Sequence, residues 1–163
     1  MIQTANGNLL DADAEALVNA VNCVGVMGRG IALQFREAFP DNYTAYKAVC
    51  DRGELCPGRM FVFDLQRETN PRFIINFPTK RHWRDHSRLE DIQAGMSSLV
   101  GEIRQRQISS IAIPPLGCGL GGLDWNEVRP IIETAFAELP DVIALIYEPI
   151  SQARKLTKSE ANR

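Results

Sequence analysis

Ile111-Ala-Ile113-Pro-Pro-Leu-Gly117-Cys-Gly119-Leu-Gly121-Gly122-Leu-Asp124-Trp-Asn-Glu127 decides the fold. Its first three residues are a short β-rich run. Its last four form a capping box, in which Asp124 accepts from a first-turn amide and Glu127 reaches back. The helix that follows places Val128, Ile131, Ile132, Ala135 and Phe136 on one face. Between strand and helix lies a glycine-rich turn. That junction is where open α/β sheets bind ligands.

The same order recurs upstream. Ala16 to Asn22 reads as a strand, Gly25-Val-Met-Gly28-Arg-Gly30 as a turn, and Gly28 to Phe39 as a helix with Ile31, Phe35 and Phe39 on one face. Pro40 stops it, and a second short helix runs from Asp41 to Asp51. Arg59 to Asp64 and Arg72 to Phe77 read as antiparallel neighbours, joined by a polar loop with Asn70-Pro71. Ser87-Arg-Leu-Glu90 is a second capping box, opening a helix striped by Leu89, Ile92, Met96, Leu99, Val100 and Ile103. Val142 to Tyr147 is the last strand. Strands that lack clean alternation, separated by amphipathic helices, imply an α/β fold with a mostly parallel sheet covered on both faces. One domain is expected over residues 1–150. Residues 151–163 turn polar and basic, as a tail or the start of a linker.

The composition excludes several classes. At 163 residues, 45% apolar and 23% charged, the chain is neither disordered nor multidomain. Eighteen Lys+Arg against 20 Asp+Glu give a net charge of -2, which excludes a wholly basic nucleic-acid binder but not a local basic patch. No membrane span and no secretory leader are read from the sequence, so the expected compartment is cytoplasmic. The four cysteines contain no C-x-x-C pair, and His82 and His86 lack cysteine neighbours, so no metal is expected.

Glycines let backbone amides converge, and a helix N-terminus adds partial positive charge; together they suit a pyrophosphate. Either loop alone is also what a tight turn with φ > 0 requires. Gly117, Gly119 and Gly122 fit G-x-G-x-x-G, which raises an NAD-dependent oxidoreductase as a rival. Only one strand follows, however, and the acid expected about 20 residues on is missing. A P-loop is excluded by the lack of Gly-Lys-Ser/Thr.

Three stretches carry a resemblance: Val18-Asn-Ala-Val-Asn22 with Gly25 to Phe35; Ile75-Asn-Phe-Pro-Thr-Lys80 with Arg81-His-Trp-Arg84; and Pro114 to Trp125. They resemble the macrodomain family, a three-layer α/β/α module with a mixed, mostly parallel sheet. Within it they are most similar to the branch of the DarG antitoxins, DNA ADP-ribosyl glycohydrolases related to the human terminal ADP-ribose glycohydrolase. The resemblance implies an ADP-ribose ligand and no cofactor. It places Asn8, Leu9 and Tyr147 at the adenine, with Asn8 where most macrodomains have Asp. It places Asn22, Val26, Met27, Gly28, Gly30 and Ile31 at the distal ribose and phosphates, with Thr79 beside them. Gly117, Cys118, Gly119, Leu120 and Gly121 would wrap the pyrophosphate. Lys80 matches the catalytic lysine, with Asn22 as a second catalytic candidate, and Gly121 sits where the human enzyme has a catalytic Asp. ADP-ribosylated DNA, with thymine in single strands as the modified base, and a cognate ADP-ribosyltransferase toxin are the implied partners.

The chemistry can be argued from the residues. Cleaving a base–ribose bond ordinarily takes two carboxylates, and neither the glycine loops nor Asn76–Lys80 contains one. A lysine is an alternative nucleophile if its amine is neutral. Phe77 and Arg81 are the neighbours expected to favour that form. Otherwise Lys80 is a charged residue that only orients substrate. The segment Lys80 to Arg88 is a local basic patch: Arg81, Arg84 and Arg88 would hold phosphates and Trp83 would stack on a base, unless Trp83 packs inward. A non-catalytic ADP-ribose reader and a hydrolase of ADP-ribose esters on protein glutamate are the alternative functions.

Overall fold

The apolar runs find partners on both faces of one sheet. A computed structural model describes residues 1–150; the tail or linker expected at 151–163 lies outside them. The strands are β1 (Ile2–Ala5), β2 (Ala16–Val21), β3 (Phe61–Asp64), β4 (Phe73–Pro78), β5 (Ser110–Ile113) and β6 (Ile143–Tyr147). The helices are α1 (Gly30–Ala38), α2 (Pro40–Asp51), α3 (Leu89–Arg106) and α4 (Trp125–Ala137). The sheet order is β1-β6-β5-β2-β4-β3. Every pair is parallel except β3 with β4, the antiparallel pair expected from sequence.

Alternation along each central strand explains the three layers. On β2, Ala16 and Val18 enter the core against α3 and α4, while Leu17 and Val21 face α1 and α2. On β4, Phe73, Ile75 and Phe77 point the first way and Ile74 the second. The striped faces of α3 and α4 supply Ile92, Met96, Leu99, Val128, Ile132 and Phe136. Phe35 of α1 and Tyr46 of α2 close the other side. Burial on both faces is why these strands carry continuous apolar runs.

Three local expectations are corrected. β1 was not read from sequence: its four residues are only half-buried or exposed, and it is held by parallel pairing with β6. α1 begins at Gly30, which leaves Gly28 in the loop. The Ser87 capping box does not form, because Arg88 is the N-cap, extended and without a side-chain cap bond. Glu90 and Asp91 in the first turn favour the helix dipole instead. At α4 half the expected box is present: Asp124 Oδ1 accepts from the Asn126 amide at 2.9 Å.

The register sets the site. Ala5 pairs with Tyr147, Ile113 with Ile146, and Val21 with Pro78, so the parallel strands end almost level. Both glycine loops and Lys80 leave the sheet at that edge. From Tyr147 on β6 to Lys80 beyond β4 is three strand spacings, about 14 Å.

Candidate active site

The first loop, residues 22–29, is built around Asn22. Its Oδ1 accepts from the amides of Val24 (3.1 Å) and Val26 (3.3 Å), and its Nδ2 donates to Val26 O at 2.8 Å. The Tyr46 hydroxyl donates to Asn22 O at 2.8 Å and lies 2.9 Å from Oδ1. Burial, with Cys50 beside it, pushes the Tyr46 phenol far up, so it stays a donor. Beneath the loop Met27 is fully buried, with Asn19 Nδ2 at 3.8 Å from its sulfur. Asn19, Asn42 and Asn76 form a buried amide cluster that ties β2, β4 and α2 together under the turn. Asn22 and, through Met27, Asn19 therefore organise the loop.

The second loop folds on its own carbonyls. The Cys118 amide donates to Pro115 O, Gly122 to Gly119 O and Leu123 to Gly117 O. Gly117 turns the chain at φ +73°, which a side chain rarely adopts. Among the described residues, the successive amides of Gly119, Leu120 and Gly121 donate to nothing. Successive free amides in a glycine turn ahead of a helix are the donors from which an anion nest is built. Cys118 is half-buried, and burial, then Asp124, pushes its thiol up to about 11. Its sulfur, 3.4 Å from Leu116 O, is a neutral thiol at physiological pH.

Lys80 follows β4 and is half-buried. Its Nζ donates to Trp83 O at 3.1 Å. The segment around it is pinned at both ends. Cys23 donates its amide to Arg81 O at 3.1 Å, and the Ser87 amide donates to Gly121 O at 2.9 Å. Thr79 is buried, and both its amide and its hydroxyl donate to Val21 O. Arg81 forks onto Asp91 at 3.0 and 3.3 Å, so its charge is compensated. Arg81 therefore stands on the surface with an acidic partner, Asp91, as well as its neighbour Lys80. Trp83 is 45% exposed, not packed inward, and the Arg84 guanidinium lies 4.5 Å from its ring centroid. Arg88 is exposed at the mouth of α3.

Other residues singled out from sequence divide by what their side chains reach. Val26 and Leu120 are exposed, one on each loop, and Gly28 and Gly30 are open. Asn8 Oδ1 caps the Leu10 amide at 3.1 Å from an exposed position, and Leu9 is core, so its side chain faces inward. Met27 is likewise a support, its side chain fully buried. Ile31 packs half-buried on α1's inner face. Tyr147 ends β6 half-buried, its phenol raised by burial and then by Asp11. Asn22 is a loop organiser: its Oδ1 is saturated internally. Sequence reading missed Ser87 and Tyr46. Ser87 was read as a cap, and Tyr46 falls inside the short helix read over Asp41 to Asp51. Among the described residues no group of three or more His, Cys, Asp or Glu is placed to hold a metal. No described helix is long and apolar enough to cross a membrane.

A six-stranded mixed sheet with two glycine turns at its carboxyl edge has a specific counterpart. Residues 18–132 match the Macro domain family. The chain belongs to that family. This macro domain is 52% identical over 163 residues to a DNA ADP-ribosyl glycohydrolase of Mycobacterium tuberculosis, covering 100% of this chain and 46% of that protein. The chain thus spans about half the length of the curated relatives it matches. The solved macrodomain of Mycobacterium tuberculosis DarG superposes with a TM-score of 0.90 at 55% identity, over 91% of this chain and 98% of that one. A DNA ADP-ribosyl transferase–DNA ADP-ribosyl glycohydrolase fusion protein of Thermosipho africanus is 31% identical over 169 residues, 93% of this chain and 42% of that protein.

Proposed function

We propose that this macro domain is a DNA ADP-ribosyl glycohydrolase, releasing ADP-ribose from a modified base, with thymine in single-stranded DNA as the favoured substrate. The observation that carries the reading is the placement of Lys80. Lys80 leaves the same carboxyl edge of the sheet as both glycine loops, from β4 next to the β2 loop, and neither loop supplies a carboxylate. The names of the relatives support the same activity.

The adenine end of the ligand would lie at Tyr147 and the Leu9 backbone. The diphosphate would meet the free amides of residues 119–121 and the opening of α1. The distal ribose would then point towards β4 and Lys80. Nucleophilic attack forms a bond from the Lys80 nitrogen to C1″ as the base–ribose bond breaks. The proton lost by the amine passes to the departing base nitrogen. Ring opening gives a Schiff base; water adds to it, releasing ADP-ribose and restoring the amine. Trp83 and Arg84 form a stacked, exposed platform for a neighbouring base, and Arg84 and Arg88 offer charge to phosphates. An ADP-ribosyltransferase must supply the substrate, and the Thermosipho africanus fusion joins both activities by name.

The test is release of ADP-ribose from ADP-ribosylated single-stranded DNA by wild type and Lys80→Ala, with borohydride trapping. The expected result is loss of release in Lys80→Ala and a trapped adduct in wild type only. Release by Lys80→Ala at the wild-type rate overturns the assignment.

A further inference from the structure

Ser87 reaches the second loop from the Lys80 segment. It is 6% exposed, and its hydroxyl is buried with no hydrogen-bond partner. Its amide holds Gly121 O at 2.9 Å. A β-carbon at Gly121 would meet Ser87 Oγ at 2.2 Å, Gly117 O at 2.6 Å and Ser87 Cβ at 2.9 Å. A β-carbon at Gly117 would meet Ser87 Cβ at 3.1 Å. The preceding residue presses on the same loop, since a β-carbon at Gly122 would lie 3.2 Å from His86 Nδ1. Two successive residues of the Lys80 segment are thus seated against the glycines of the second loop.

A buried hydroxyl without a partner is costly, and such groups in folded proteins call for a reason. The hydroxyl is the atom that meets the loop most closely, since Oγ lies nearer than Cβ to a β-carbon at position 121. We propose that Ser87 is a positioning residue: its side chain occupies the space a side chain at position 121 would need, and it fixes the register between the diphosphate-holding loop and Lys80. This rests on the glycohydrolase reading above. In an enzyme with no acid at 121, the angle between a diphosphate anchor and a single lysine carries the reaction. Small misplacements of a reacting group lower rates steeply.

The test compares wild type, Ser87→Ala and Lys80→Ala in three measurements: melting temperature, ADP-ribose affinity by calorimetry, and single-turnover release from ADP-ribosylated single-stranded DNA. Ser87→Ala is expected to melt at or above the wild-type temperature. ADP-ribose affinity should change little, because the product does not require Lys80 in register. The release rate should fall about tenfold with KM nearly unchanged. Gly121→Ala should abolish release, and should cost less in the Ser87→Ala background, where the 2.2 Å contact is gone. Two results overturn the proposal: a Ser87→Ala enzyme with the wild-type rate, or one whose melting temperature and rate fall together. A wild type that releases nothing overturns the glycohydrolase reading instead, and is seen in the same experiment.

Discussion

Helix α3 contains two glycines that should respond to alanine in opposite directions. Both lie inside the helix, where replacing glycine by alanine is worth about 1 kcal/mol of helix propensity. Gly101 is exposed, and a β-carbon there meets nothing within 4 Å. Gly101→Ala should therefore stabilise by about 1 kcal/mol. Gly95 is buried, and its β-carbon would lie 2.3 Å from Cζ and 2.5 Å from Cε1 of Phe77. Phe77 is itself fully buried beneath α3, so the ring has little room to retreat. Overpacking of this kind costs about 1–3 kcal/mol. The contact is far inside van der Waals range, which argues for the upper end. The propensity gain offsets about 1 kcal/mol, leaving a net loss of about 2 kcal/mol. For a chain of this size that lowers the melting temperature by about 4–8 °C, while Gly101→Ala raises it by about 2–4 °C. Thermal and urea unfolding of the two variants give the comparison. Phe77→Leu added to Gly95→Ala should recover part of the loss, a coupling expected only of residues in contact. Equal stability of the two alanine variants would refute this account of how α3 packs on β4. The site depends on that packing, because Phe77 lies three residues before Lys80.

Three further outcomes are expected. Tyr46→Phe removes a buried donor to Asn22 O and Oδ1; it should destabilise by about 1–3 kcal/mol and weaken ADP-ribose binding as the first loop loosens, read by unfolding and calorimetry. Arg84→Ala should weaken single-stranded DNA binding and reduce the salt slope by about 0.7, one phosphate's share; an unchanged slope removes Arg84 from the DNA contact. Burial, then Cys50 and Cys56, pushes the Cys23 thiol from its ordinary 9.0 up to about 12. The unfolded thiol ionises first, so this contribution to stability is complete below pH 9 and lost as pH rises towards about 12. Cys23→Ser should flatten the fall in unfolding midpoint over that window, and superimposable profiles would refute it.

Local chemistry made much of this molecule legible in the sequence. The continuous apolar runs of β2 and β4, the stripes of α3 and α4, and the two glycine turns marked out the layers and the sheet edge that holds the site, because apolar pattern and turn residues act over a few neighbours. Lys80 and the exposed Trp83–Arg84 pair stood out as a basic, aromatic stretch. Tertiary structure alone decided the rest. β1 has no apolar signal of its own and exists through pairing with β6 at the far end of the chain. Asn22 stood out as a site residue, and its contacts with Tyr46 and its own loop, which hold the turn together, appear only in the fold. Arg81 looked free until Asp91, ten residues on, took its charge. Ser87 read as a helix cap; packing against Gly117 and Gly121 instead buried it under the second loop. In each case the deciding contact joins residues that the sequence keeps apart, and only the folded chain brings them within a few ångströms.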